Sequence, residues 1–156
     1  VRGLVTNAVL AGTWALLVGE VSLRTLVAGG LIGFALLAIF RRVREGDGYV
    51  RVTLALAGFL AFFARELVVA NVAVATLALR PRARLHPVIV AVPLRLTTDV
   101  GVTVLAAVIT LMPGTVAMGV SRDRRLLYAH AIGIEDADAA RASITRVEDH
   151  LLRFLK

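Results

Sequence analysis

The sequence contains no cysteine, which excludes disulfides, thiolate metal sites and a cysteine nucleophile. It has no Asn-x-Ser/Thr acceptor, and Lys156 is the only lysine among 18 basic residues. A GC-rich coding bias accounts for that arginine preference without any arginine-specific role. His86, His130 and His150 stand apart, without the spacing of a metal-binding helix or loop. Neither a metal nor a cofactor is expected. Thr110 and Thr115 have no base nearby in sequence to activate a hydroxyl, so no catalytic residue is assigned. Acidic groups are equally scarce where they would matter for transport: only Glu20 and Glu66 lie in or beside the apolar segments. An ion pathway needs several ionisable groups held close together in the membrane. One carboxylate does not make one.

What the chain does have is apolar length. Of 156 residues 58% are hydrophobic, against about 45–50% in an ordinary soluble domain, and mean hydropathy is +0.82. The net charge of +7 would suggest nucleic acid in a soluble protein, but the basic clusters lack interleaved aromatics. No nucleic-acid partner is expected, and the charge reads as positive-inside anchoring of a membrane protein.

Residues 4–18 form a first apolar segment after Arg2. No small-x-small cleavage site follows, and a second segment, 23–40, comes at once, so a helical hairpin is expected rather than a signal peptide. Gly19-Glu20-Val21-Ser22 supplies its turn. Small residues recur four apart at Ala11, Ala15 and Gly19, and again at Gly29 and Gly33. In lipid such stripes let helix backbones approach, either within the hairpin or against a neighbouring subunit. A polar loop follows with Arg41, Arg42, Arg44 and Arg51, which the positive-inside rule puts in the cytoplasm.

The longest apolar stretch is 53–79, flanked by Arg51 and Arg80. As a helix it reaches about 40 Å, more than the hydrocarbon core of a bilayer. A second basic cluster, Arg80-Pro81-Arg82-Ala83-Arg84, comes directly after it. Two basic clusters on one side need an even number of crossings between them, and one crossing would also bury Arg65 and Glu66 at about 2.5–3.5 kcal/mol per charge. Yet Arg65, Glu66, Asn71 and Thr76 spread around the helix instead of sharing one polar face. The expectation is two crossings by the hairpin, then a long helix along the cytoplasmic boundary; a third crossing is the alternative. Arg65 is expected about 100° round the helix from Glu66, with both charges meeting other subunits or headgroups. Anionic headgroups are expected at the arginines of 41–44 and 80–84.

Beyond Arg84 the pattern changes. Residues 88–94 are β-branched, with Pro93 marking an edge or a strand end. Thr98-Asp99 caps a helix over 100–111, which Pro113-Gly114 stops. Residues 116–120 and 126–132 read as two strands around a polar turn, and Asp136 or Asp138 caps a last helix. Ala140, Ile144, Val147, Leu151 and Phe154 share one of its faces. The expected divisions are 1–50, a transmembrane hairpin with its basic loop; 51–84, the long helix with its basic exit; and 85–156, a small α+β domain ordered strand-helix-strand-strand-helix.

In this order the segments resemble the E subunit of the multisubunit monovalent cation/proton antiporters, the Mrp or Mnh type. The residues that carry the resemblance are the paired N-terminal helices, Arg65-Glu66 with Asn71, Arg80-Pro81, Val92-Pro93-Leu94, Asp123 through His130, and above all Thr110-Leu111-Met112-Pro113-Gly114-Thr115. Val108 and Met112 depart from the serine and threonine common there. The resemblance implies a non-enzymatic accessory subunit of the bacterial inner membrane with a cytoplasmic C-terminal domain. It works among other polytopic subunits that exchange sodium for protons, the large ones carrying the pumping chemistry. Thr110, Pro113, Gly114 and Thr115 read as structural: a helix stop that sets the next strand's angle. The reading from residues alone also admits a membrane-anchored module that binds a cytoplasmic ligand or regulator.

Overall fold

The computed structural model describes residues 2–40, 48–81, 86–134 and 136–155. The expected headgroup contacts at Arg41, Arg42, Arg44, Arg82 and Arg84 lie outside these. The chain divides into two compact units, Val1–Leu54 and Ala55–Lys156.

In the first unit, α1 (Arg2–Val18) and α2 (Leu23–Ile39) pair along their length. Ser22 fixes where the second begins: its hydroxyl accepts from Thr25 N at 3.3 Å while its own N–H donates to Thr25 Oγ1 at 3.0 Å. This reciprocal capping box satisfies two otherwise orphaned groups. Large apolar side chains such as Leu16, Leu17, Leu23 and Leu31 point outward, so the pair has little core of its own and needs an apolar surrounding. Small residues supply the contact between the helices. A Cβ on Gly29 would lie 2.8 Å from Trp14 Cβ and 2.9 Å from the Ala11 Cα, and one on Gly33 would collide with Asn7 Oδ1. Both glycines face α1.

The third helix, α3 (Tyr49–Ala78), has 30 residues. It starts four residues before the expected 53, because Tyr49 and Val50 are held by the hairpin. The Tyr49 hydroxyl accepts from Asn7 Nδ2 at 2.9 Å, its ring meets Phe34 edge-on at 6.0 Å, and Val50 is buried. Packing outweighs the polar character of the preceding loop. Among the described residues, α3 is the helix long and apolar enough to cross a membrane.

In the second unit follow β1 (Val88–Pro93), α4 (Asp99–Leu111), β2 (Thr115–Val120), β3 (Leu126–Ala131) and α5 (Ala137–Leu151). This is the expected α+β order. The sheet is antiparallel throughout with order β1-β3-β2. Period-two alternation buries Val90, Val92, Leu127, Ala129 and Ala131, and leaves Ile89, Val116, Met118 and Tyr128 exposed on the other face. Helices α4 and α5 cover the inner face, with Leu105, Ile109, Ala140, Ile144, Val147 and Leu151 completing the core. Phe154 lies past the end of α5 but still packs there, 5.7 Å from Phe59 of α3. Both outer strands are interrupted: Pro93 ends β1, and the register of β2 slips between Ala117 and Gly119.

The turn between β2 and β3 is held by Asp123. Its Oδ1 accepts from Ser121 Oγ at 2.5 Å and from Arg125 N at 3.2 Å. The Ser121 hydroxyl, then the Arg125 amide, hold this carboxyl below the usual carboxylate range. The folded pKa is depressed, so whatever Asp123 contributes to stability is present at neutral pH and lost as pH falls through that lowered value. Side-chain carbonyl NMR on the full chain should find Asp123 titrating below the ordinary aspartate range, and Ser121→Ala should move it back up.

Candidate functional site

The α4–β2 turn is built by the run that carried the resemblance. Thr98 caps the helix, its hydroxyl accepting from Gly101 N at 3.1 Å. At the other end Pro113 cannot continue the helix, and Gly114 takes a φ of +89° that few other residues adopt. The Thr115 hydroxyl lies 2.7 Å from Ile109 O and 3.1 Å from Met112 O, reinforcing the amide bonds those carbonyls accept from Met112 N and Thr115 N. Thr110 Oγ1 donates to Ala106 O at 2.8 Å and accepts from Ala117 N at 3.2 Å, which ties α4 to β2. Every hydroxyl bond here goes to backbone.

On α3, Arg65 Nη1 lies 2.7 Å from Glu66 Oε1. This corrects the expectation that Arg65 does not face Glu66: long side chains close the 100° between adjacent positions. The Arg65 side chain is 73% exposed and that of Glu66 only 17%. Asn71 is exposed and donates to Leu67 O at 2.7 Å, the back-bond that satisfies a polar side chain on an apolar helix.

Glu66, Pro113 and Thr115, widely spaced in sequence, line one cavity of about 520 Å³. Its α3 side continues through Ala73, Val74 and Leu77 to Arg80 just past the helix end; Ile132, Ile134 and Ser143 close the other side. Arg65 and Asn71 are not among its lining residues, and Gly29 and Gly33 belong to the other unit. Small and branched side chains make most of the wall, with the one carboxylate and the one guanidinium about 21 Å apart along the helix axis.

The strongest polar cluster escaped sequence reasoning. Glu148 on α5 is 1% exposed, and its Oε1 accepts from Arg95 N at 2.6 Å and Leu96 N at 2.9 Å. Its Oε2 takes Arg95 Nε at 2.9 Å, while Arg95 Nη2 reaches Asp149 Oδ1 at 2.7 Å. Asp149 first, then Glu148, hold the Arg95 guanidinium above its ordinary range. The one signal available was spacing: Glu148 falls on the stripe of Ile144, Val147 and Leu151. His150 is not isolated either, since its ring stacks on Phe62 with centroids 4.0 Å apart and Nδ1 lies 2.9 Å from Arg146 O.

Among the described residues no three His, Asp or Glu side chains converge on a possible metal position. The one acidic group in the long apolar helix is neutralised by its neighbour. Fold and site together define a type of chain in which a long apolar helix packs on a small α+β unit. The chain belongs to the family described as MNHE, Na+/H+ ion antiporter subunit, which it matches over residues 7–154.

Its relatives agree. The E subunit of the Na(+)/H(+) antiporter of Bacillus subtilis is 37% identical over 134 residues, covering 86% of this chain and 85% of that protein. The E subunit of the Na(+)/H(+) antiporter of Alkalihalophilus pseudofirmus is 33% identical over 132 residues, 85% of this chain and 84% of that one. Among solved structures, a chain of the Mrp complex from Dietzia sp. DQ12-45-1b superposes with TM-score 0.52 at 30% identity, covering 65% of this chain and 96% of that one. A chain of the archaeal membrane-bound sulfane sulfur reductase, a respiratory membrane complex, superposes with TM-score 0.58 at 26% identity over 99% of both.

Proposed function

We propose that this chain is an accessory, non-catalytic subunit of a multisubunit Na+/H+ antiporter of the Mrp type, needed for the assembly and activity of the whole. The observation that carries this reading is kinship with antiporter E subunits over nearly the full length. The site agrees with it. Glu66 is the lone carboxylate of the apolar helix and is already paired with Arg65, so the ion path runs through other polytopic subunits.

In this reading the protein sits in the bacterial inner membrane with residues 85–156 on the cytoplasmic side, after the hairpin of 1–50 and the long-helix segment of 51–84. Helices α1 and α2, at 17 residues each, reach about 26 Å, the short end of what spans a bilayer. They make the two crossings. Helix α3 runs along the cytoplasmic boundary, offering exposed Arg65 and Asn71 to neighbouring subunits or headgroups. Anionic lipid gathers at Arg41, Arg42, Arg44 and at Arg80, Arg82, Arg84.

Affinity purification of the tagged chain in mild detergent should bring down several polytopic subunits, and its deletion should abolish sodium-dependent proton exchange in vesicles. Recovery as a stable monomer with exchange unaffected by deletion would overturn the assignment. Cysteines placed at Gly48 and Ala142 should both react with an impermeant maleimide only from the cytoplasmic side. Labelling from opposite sides would put α3 across the membrane.

A further inference from the structure

We propose that the groove between α3 and the β3–α5 side of the second unit holds one acyl chain of an anionic phospholipid, with the headgroup phosphate on Arg80. The inference rests on the membrane placement proposed above and adds a defined lipid site to it. Apolar side chains line most of the cavity, among them Val74, Leu77, Ile132 and Ile134, as a hydrocarbon ligand requires. Its size decides what kind of occupant enters. From Glu66 to Arg80 the groove follows about 21 Å of helix, and a single acyl chain spans about 15 Å, half the hydrocarbon core.

Charge sets the direction of the lipid. Glu66 is joined to Arg65 at 2.7 Å, so that end offers no free cation to a phosphate. At the opposite end Arg80 lines the cavity exposed, with no carboxylate paired to it among the described residues. A guanidinium there takes a phosphate oxygen through parallel N–H donors, and Ser143 adds a hydroxyl to the wall. Beside the groove α3 exposes Val68 and Val72, and Val69 at its wall is half exposed, so a lipid reaches the groove along a surface that is itself apolar.

The test uses the complex purified by the tagged full chain and placed in phosphatidylcholine nanodiscs. A phosphatidylglycerol with a mid-chain diazirine is added at low proportion and photolysed. Adducts should concentrate on peptides holding Val74, Leu77 and residues 132–134, and the equivalent phosphatidylcholine probe should not concentrate there. Arg80→Gln, at an exposed helix end, should lower the phosphatidylglycerol adducts about fivefold. Ala73→Phe should abolish them by filling the groove, and soluble glycerol phosphate should not compete. Uniform labelling along α3, equal labelling by both probes, or adducts unchanged in the two variants would overturn the proposal, as would protection of the groove by another subunit. The subunits recovered in the same preparation are scored separately. Their absence with groove labelling intact would reject the antiporter assignment and leave the lipid site standing.

Discussion

Replacing Glu148 with alanine is expected to destabilise the C-terminal unit by about 2–4 kcal/mol, because it strands two backbone donors at about 1–3 kcal/mol each. The donors are Arg95 N and Leu96 N, and Leu96 is 3% exposed, so water does not replace the carboxylate. In a unit of this size that loss lowers the melting temperature by roughly 10–20 °C. Glu148→Gln keeps one oxygen for the amides but turns an NH2 group toward Arg95 Nε, and should lose about half as much. Asp149→Asn is the control: its pair with Arg95 is about half exposed on both sides and is worth under about 1 kcal/mol. Thermal unfolding of the purified chain, followed by circular dichroism in detergent, separates the three. Equal melting of the alanine and Asp149→Asn variants would show that the buried carboxylate does not hold the β1 exit.

Gly29→Leu should open the hairpin. Its first added carbon alone meets the Ala11 Cα and carbonyl oxygen at 2.9 Å, and backbone cannot swing aside as a side chain does. Overpacking of this kind costs about 1–3 kcal/mol, and in lipid no hydrophobic drive holds the helices together against it. Trp14, the only tryptophan in the chain, has its Cβ 2.8 Å from the same point and therefore reports the event. The variant should shift Trp14 emission, raise its accessibility to acrylamide and reduce recovery of the assembled complex. Gly30→Leu, where an added carbon meets nothing, should do none of these. If both variants behave alike, close approach at Gly29 is not what holds the pair.

Much of this architecture was legible because local chemistry and tertiary structure agree. The β-branched run, the Thr98 cap, the Pro113-Gly114 stop and the Ser121–Arg125 turn each specify their element within a few residues, and the elements appear in the expected order. The misses share a cause. Glu148 and Arg95 are 53 residues apart, and no local pattern links them, although a carboxylate on an otherwise apolar stripe was a usable warning. The early start of α3 depends on Asn7 and Phe34 holding Tyr49, again a long-range effect. Arg65 and Glu66 were separated by reasoning from Cα directions, which side chains with several rotatable bonds do not obey. The cavity joins residues from α3, the α4–β2 turn and the end of β3, and only folding brings them to one place.

The interruptions in the two outer strands bear on how the protein behaves before it finds its companions. An unbroken rim of free amides and carbonyls invites a second molecule to add on, strand upon strand. Pro93 removes one donor from the first rim and the irregularity at Met118 twists the second away. Each rim is thereby a poorer template for strand addition by a second copy.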